Sequence, residues 1–311
     1  GLTGANPTGL TLPPLTTPDP VTLAQTLATL EQAGVHHVAL EASSHGLEQG
    51  RLDGLHLSAA GFSNLTRDHL DYHGTLEAYR QAKLRLLSAI LPPGGLAVAN
   101  ADMDSPTLDA IRAIARTRTL RLRLVGEQGD TLRLLEHRAL PHGQELRLSC
   151  LGHIHTLTLG LPGRFQADNA LLATALATED DAALPGLLAL LPQLKGVRGR
   201  MERAAILPNG ASAYVDYAHT PDALARLLAS LRPHALGKLV VVFGAGGDRD
   251  RGKRPLMGQE AAIGADIAII TDDNPRTENA AAIRPAVRAG APEALEIADR
   301  RSALAEALSL P

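Results

Sequence analysis

Between Arg67 and Lys83 the chain reads RDHLDYHGTLEAYRQAK, with two histidines, three acids, one glycine and a single lysine. His69 and His73 stand four apart, the separation of the two histidines in a zinc-protease helix. Leu70 occupies the place of that motif's general-base glutamate, and Gly74 marks His73 as the end of a loop. A magnesium site built from one histidine and carboxylates fits these residue types better than zinc. Two histidines held by purely structural hydrogen bonds are the competing reading. Thr75 is a natural N-cap, with Glu77 in the favoured first turn. From there Leu76, Tyr79, Lys83, Leu86 and Ile90 share one helical face. Lys83 either snorkels from this stripe to water or is desolvated, with a depressed pKa that frees its amine for chemistry.

Other groups could join such a site. Glu41 ends the strand-like VHHVALE, at the carboxyl edge where open α/β sheets place their ligands. It reads either as a metal ligand or as a surface acid facing a loop. VVVFGAGGDRD departs from the dinucleotide fingerprint at Arg249. GDRDRGKR follows phosphate-loop spacing until Arg254 replaces the Ser or Thr that would hold magnesium. The positive charge of Arg249, Arg251, Lys253 and Arg254 suits carboxylates or phosphates, or belongs to a solvated loop. TDDNPR sets acid, amide and guanidinium at a strand end, enough to read a zwitterion or simply to close a turn.

These groups need a scaffold. The 311 residues suggest two domains, and 45 % apolar content supplies ordinary cores. Aromatics at 2 % argue against an aromatic-lined site and against single-strand nucleic-acid binding by stacking. A net charge of −3 argues against a basic nucleic-acid surface. Cys150 is the single cysteine, so no disulfide framework is available, and a reducing, cytoplasmic compartment is expected. No apolar run approaches the roughly 18 residues of a membrane helix, so no membrane insertion is expected, and no signal peptide is legible.

Along the chain, residues 1–20 read as loop, 21–32 as helix and 35–42 as a short buried strand. A strand is expected within 56–65, a helix over 76–90, a strand over 94–100 and a helix over 105–115. From 119 to 159 the pattern alternates with period two, which predicts an antiparallel patch with one wet face. Helices follow over 169–178 and 183–191, then a boundary near LKGVRGRMER. SAYVDYA, a helix from Pro221, KLVVVFGAGG, a helix from Pro255 and ADIAIITDDNP predict a doubly wound parallel sheet. The fold class is therefore α/β: a mostly parallel central sheet with a small antiparallel patch, then a Rossmann-like second domain.

Seven motifs occur in order: EASSHGLEQGR, NLTRDHLDYHGTLEAYRQAK, LPGRFQADNA, GVRGRME, VDYAHTPD, VVVFGAGGDRDRGKRPLMG and TDDNPRTE. Together they closely resemble the Mur ligase family, in particular the branch that adds the third residue of the peptidoglycan stem. The resemblance implies a central ATPase domain over 1–197 and an incomplete Rossmann-like domain over 198–311. It implies that ATP phosphorylates a substrate carboxylate and that an incoming amine attacks the acyl phosphate, leaving ADP and phosphate. It assigns Lys83 as a lysine carbamylated by carbon dioxide, with His69 and Glu41 as magnesium ligands and two Mg2+ ions in all. Thr16, Thr17, Ser43, Gln49 and Arg51 match positions that hold a UDP-N-acetylmuramoyl dipeptide. Asn169, Arg200, Asp216 and His219 match positions around ATP. Arg249, Asp273, Asn274, Pro275 and Arg276 match the pocket for a diamino acid. Arg276 favours meso-diaminopimelate, with lysine and ornithine as alternatives.

The family's ATP loop would lie upstream of Gly1, and a Gly-Lys-Gly-His-Glu stretch beyond Pro311. The chain thus reads as truncated at both ends, monomeric and, by itself, unable to turn over ATP. A folylpolyglutamate synthetase, which would not be expected to carry DNPR, and a non-catalytic nucleotide-binding module are the rival readings.

Overall fold

The computed structural model describes residues 2–3, 15–66 and 68–310. Its contacts form two compact units. One takes in the chain up to Leu135 with Leu148–His155 and Asp168–Leu188; the other takes in Glu136–Arg147, Thr156–Ala167 and the chain from Ala189 onward.

In chain order, β1 (Leu2–Thr3) is followed by α1 (Pro20–Gln32). The Asp19 carboxylate accepts from the amides of Val21 and Thr22, and Pro20 opens the helix where its missing N–H costs nothing. Next come β2 (Ala39–Leu40), α2 (Ser44–Glu48), β3 (Ala59–Phe62), α3 (Leu70–His73) and α4 (Leu76–Arg85). Thr75 caps α4 through its hydroxyl, 3.1 Å from the Ala78 amide. The helix runs on as a π-helical turn over Leu86–Ile90. Then come β4 (Leu96–Asn100), α5 (Ser105–Thr117), β5 (Arg121–Gly126), β6 (Leu132–Leu140), β7 (Gly143–Cys150) and β8 (His153–Leu159). These strands order as β3-β4-β5-β6-β7-β8, and each pair from β3 to β6 is parallel. Leu96 to Ala99 of β4 are buried on both faces, as a central parallel strand requires. Leu52, Phe62, Leu87, Leu91 and Ile111 belong to the core that includes Ala97 and Ala99 of β4. The links β6–β7 and β7–β8 have two residues each, so these strands form antiparallel hairpins. Leu151 and Gly152 turn the second with φ of 51° and 80°, the two positive angles of a type I′ turn.

After α6 (Arg164–Leu176) and α7 (Leu184–Leu188), β9 (Glu202–Ile206) and β10 (Ser212–Val215) pair antiparallel. The second unit then alternates α8 (Pro221–Leu231), β11 (Val240–Phe243), α9 (Lys253–Gly264), β12 (Ile267–Ile270), α10 (Ala280–Arg288), β13 (Leu295–Glu296) and α11 (Arg300–Ser309). Strands β11-β12-β13 form a parallel sheet. Leu224, Leu228, Phe243, Met257, Ile270 and Val287 fill its core.

The α/β class holds, with a mainly parallel sheet and antiparallel strands, but several expectations change. Of the loop expected over 1–20, Leu2–Thr3 pair with β2, and residues 1 and 4–14 lie outside the described residues, as does Arg67. The buried strand expected over 35–42 shrinks to Ala39–Leu40, and Val38 is 42 % exposed. A strand is buried only when neighbours cover it, and β1 alone pairs with it among the described residues. LRLRLV alternates like a half-wet antiparallel strand, yet β5 is parallel to both neighbours. SAYVDYA does not start the parallel sheet, because β10 pairs with β9 instead. The helix expected over 183–191 is interrupted after Leu188. Among the described residues no helix is long and apolar enough to cross a membrane.

Candidate functional site

In the first unit the loop before α2 is organised by Thr17, which is buried. Its hydroxyl donates to the Glu41 carbonyl at 2.8 Å and accepts from the Ser43 amide at 2.9 Å. The Ser43 hydroxyl caps α2 by accepting from the Gly46 amide. A Cβ on Gly46 would sit 2.7 Å from Cγ2 of Thr17, so the close approach requires glycine. Arg51 donates through Nη1 to the Thr17 carbonyl at 2.8 Å and through Nε to Oε1 of Gln49 at 3.0 Å. The Gln49 amide donates in turn to the Tyr72 hydroxyl at 2.9 Å. Thr17, Ser43, Gln49 and Arg51 are therefore one hydrogen-bonded group around the Glu41 backbone. Thr16 is exposed beside it.

A cluster of rings adjoins this group. His45 lies 4.0 Å from Tyr72, 5.0 Å from His69 and 5.4 Å from His73, centroid to centroid. Tyr79 packs on His73 at 5.3 Å and on His69 at 6.1 Å. Mean composition argued against such a lining, but two of the four tyrosines gather at this one place. Burial and the neighbouring His69 and His73 push the His45 imidazole below its ordinary pKa. The two histidines of the opening motif differ in kind. The His73 side chain is buried, with Nε2 3.0 Å from the Ser44 hydroxyl and Glu48 3.5 Å from Nδ1. His73 ends a one-turn helix, not a loop. His69 is half exposed in left-handed backbone with φ 51°, its Nε2 3.6 Å from Asp68.

Lys83 sits on the expected face, with Tyr79, Leu86 and Ile90 buried beside it and Leu76 exposed. Burial drives its ammonium below the ordinary lysine value, and the Glu41 and Asp68 carboxylates pull partly the other way. Of the two readings of Lys83, the geometry favours the desolvated amine. Glu41 is exposed, yet close enough for its charge to act on Lys83. Among the described residues no group of three or more His, Cys, Asp or Glu could hold a metal ion. Glu41 acts on Lys83 through its charge, His69 lies 6.1 Å from the Tyr79 ring that neighbours Lys83, and an unmodified ammonium would repel a cation. Without that positive charge, Glu41 and His69 are donors of the kind that would hold magnesium together with waters.

Asn169 is exposed on α6. In the second unit, Arg200, Asp216 and His219 come together at β10. The Asp216 carboxylate accepts from the amides of Met201 and Ala218, both at 2.8 Å. The Arg200 guanidinium lies 5.4 Å from the centroid of Tyr217, whose ring is 5.1 Å from that of His219. The exposed Tyr217 and its cation form a flat platform, a feature that spacing did not reveal.

The loops after β11 and β12 also meet, at the carboxyl ends of adjacent parallel strands, where such sheets bind ligands. Asn274 accepts the Arg276 amide on its side chain and the Gly247 amide on its carbonyl. Arg276 donates through Nη1 to the Gly247 carbonyl at 2.6 Å. Pro275 accepts the Glu278 amide, and Asp273 lies 3.9 Å from Arg300. Arg249 is exposed. The positive cluster divides: Arg254 is buried against Glu278, and Lys253 donates to the His219 carbonyl, so neither is a free anion-binding cation. Glu278 and Asp248, which tie these loops, were not singled out from sequence, although Glu278 ends the last quoted motif.

Residues 3–177 match the profile of the Mur ligase middle domain, and residues 199–310 that of the Mur ligase glutamate ligase domain. A UDP-N-acetylmuramoyl-L-alanyl-D-glutamate–2,6-diaminopimelate ligase of Caulobacter vibrioides is 54 % identical over 304 residues, 97 % of this chain and 62 % of that protein. The same-named protein of Agrobacterium fabrum is 50 % identical over 298 residues, 95 % of this chain and 60 % of its own length. A solved structure of a ligase of this name superposes with a TM-score of 0.74 at 37 % identity, over 99 % of this chain and 63 % of that one. A Mycobacterium tuberculosis folylpolyglutamate synthase, at 22 % identity and a TM-score of 0.58, shares the fold. The chain thus spans about three fifths of the relatives it matches. With profiles covering both units and the motif residues gathered as described, the chain belongs to the Mur ligase family.

Proposed function

We propose that this chain carries the ATPase and acceptor-binding parts of a ligase that joins meso-diaminopimelate to UDP-N-acetylmuramoyl-L-alanyl-D-glutamate at the expense of ATP. The division between those parts is proposed near residue 197. The names of the relatives at 54 % and 50 % identity support the reaction. The observation that carries it is Lys83, an amine desolvated on a helix face beside Tyr79 and within the field of Glu41. A neutral lysine nitrogen attacks the carbon of CO2, forms an N–C bond and releases one proton, leaving a carbamate. That anion supplies the acid which Glu41 and His69 lack for a cation site. Glu41, His69 and the Lys83 carbamate would then hold magnesium, which neutralises charge on a transferring phosphoryl group.

The remaining assignments follow the same reading. Thr17, Ser43, Gln49 and Arg51, with Thr16 beside them, hold the muramoyl peptide. Asn169, Arg200, Asp216 and His219 bind ATP. Arg249 and residues Asp273 to Arg276 hold the acceptor, and the Arg276 guanidinium pairs with the far carboxylate that separates diaminopimelate from lysine.

The test is a competition assay on the complete reading frame that contains this sequence, with ATP, the muramoyl dipeptide and three acceptors. ADP release with diaminopimelate preferred over lysine and ornithine is expected. Preference for lysine or ornithine, or release independent of any acceptor, overturns the assignment.

A further inference from the structure

The loop after β11 and the loop after β12 are tied by a reciprocal exchange of carboxylates. The Asp248 side chain accepts the Thr277 amide at 3.0 Å and the Thr277 hydroxyl at 2.7 Å. In return, Glu278 accepts the Asp248 amide at 2.7 Å. Each acid thus caps the backbone of the other's loop. Glu278 also accepts from Nη2 of Arg254 at 2.8 Å, and Arg251 lies 3.3 Å from its second oxygen. The Arg254 side chain is 5 % exposed, so this anchor is locked into the body of the unit.

Directly before Thr277 the clasp adjoins an exposed residue, Arg276. That residue and Asp248 both hold φ of 51°, a left-handed conformation that non-glycine residues keep only where their surroundings dictate it. Pro275 packs so close to Gly247 that a Cβ there would lie 1.9 Å from the Pro275 carbonyl. The Arg276 side chain then commits one amino group to the Gly247 carbonyl, which aims the rest of the guanidinium. We propose that Asp248, Thr277 and Glu278 are positioning residues that set acceptor selectivity by fixing the backbone and aim of Arg276. This rests on the reading of Arg276 as the acceptor's carboxylate partner. In support, hydrogen bonds from Thr277 hold the Asp248 carboxyl below its ordinary pKa, and bonds from Arg254 and the Asp248 amide do so for Glu278. Both acids are therefore ionised acceptors at neutral pH.

A merely structural clasp would change stability and leave selectivity alone. The experiment measures the diaminopimelate-to-lysine ratio of kcat/KM for the complete enzyme and four variants: Arg276→Ala, Asp248→Asn, Thr277→Val and Thr277→Ser. Asp248→Asn should raise KM for diaminopimelate and lower the ratio by about tenfold, with kcat and KM for ATP little changed, because misplacing a binding group by a fraction of an ångström is enough. Thr277→Val should act in the same direction, and Thr277→Ser, which keeps the hydroxyl, should restore the ratio. If Asp248→Asn does not fold, the Thr277 pair decides. An altered ratio in Arg276→Ala with an unchanged one in Asp248→Asn or Thr277→Val overturns the clasp alone. An unchanged ratio in Arg276→Ala overturns the reading of Arg276, and the clasp with it.

Discussion

The ammonium nitrogen of Lys83 lies 5.8 Å from the centroid of the Tyr79 ring. The two residues are one helical turn apart on α4, and the tyrosine is buried. A ring face partly stands in for water around the cation. It does not fully replace it, and the net effect of burial is to disfavour the charged form.

A lysine with a lowered pKa exposes its neutral amine at lower pH than its peers. Lys83 is therefore expected to take up 13C-labelled bicarbonate as a carbamate at a pH where Lys195, Lys238 and Lys253 do not. The carbonyl resonance should disappear in Lys83→Ala. Glu41→Gln removes an anion that favours the ammonium, so it should move carbamate formation to still lower pH. An identical labelled signal in Lys83→Ala would sink the idea. The sign for stability follows from the same shift. Between the depressed pKa and the ordinary value the unfolded chain binds more protons, so folding stability contributed by this group rises with pH.

Thr17→Val tests the loop that carries the muramoyl-peptide residues. Valine keeps the shape but removes the hydroxyl that accepts from the Ser43 amide and donates to the Glu41 carbonyl. The loss should be about 1–3 kcal/mol in urea denaturation, the usual penalty of an unmet buried polar group. Thr17→Ser keeps both bonds and should lose less than half of that. Equal losses would mean that the methyl, not the hydroxyl, holds the loop.

Much of this was legible in the sequence, and the failures share a cause. Local signals gave Thr75 as a helix start and placed Lys83 on its stripe, because caps and 3.6-residue periodicity are short-range. The motif order gave the residues that gather at Thr17, at Asp216 and at Asn274. Pairing partners were not legible: β10 reads like any short strand, and only β9 explains where it goes. Nor was the clasp between Asp248 and Glu278, since nothing in either loop says that the other lies within hydrogen-bond reach.

Asp266 gives a pH test in the second unit. Hydrogen bonds from Arg232 and the Leu239 amide lower its pKa from 3.8. A carboxyl with a depressed folded pKa contributes stability that is full above its unfolded value and is lost as pH falls through the folded one. Thermal stability should therefore decline below pH 3.8 with a slope that Asp266→Asn makes shallower. An Asn variant with the same acid slope as the parent would remove Asp266 from the account.

Arg123 offers the clearest stability prediction, because it contradicts its own pattern. LRLRLV puts Arg121 and Arg123 on one face of β5, and alternation marks that face as wet. Arg121 is half exposed, but Arg123 is 5 % exposed. Its guanidinium reaches past the end of α6 and donates to the carbonyls of Ala175 at 2.7 Å, Thr178 at 2.6 Å and Glu179 at 3.1 Å, and it pairs with Asp181 at 2.5 Å. One side chain therefore satisfies the Ala175 carbonyl at the end of α6 and ties down the Thr178 and Glu179 carbonyls of the turn after it. Arg123→Met preserves the apolar stem and removes every donor. The cost should be about 1–3 kcal/mol, mainly that of the buried Ala175 acceptor left unmet, with the part-exposed Thr178 and Glu179 carbonyls and the largely solvated Asp181 pair discounted. Arg123→Lys supplies a charge without the planar fork and should recover only part of this. Arg121→Ala, which breaks an exposed pair, should cost about 0–1 kcal/mol. Chemical denaturation of the three variants measures the order. Equal midpoints for Arg123→Met and Arg121→Ala would mean that the end of α6 is held by something other than Arg123.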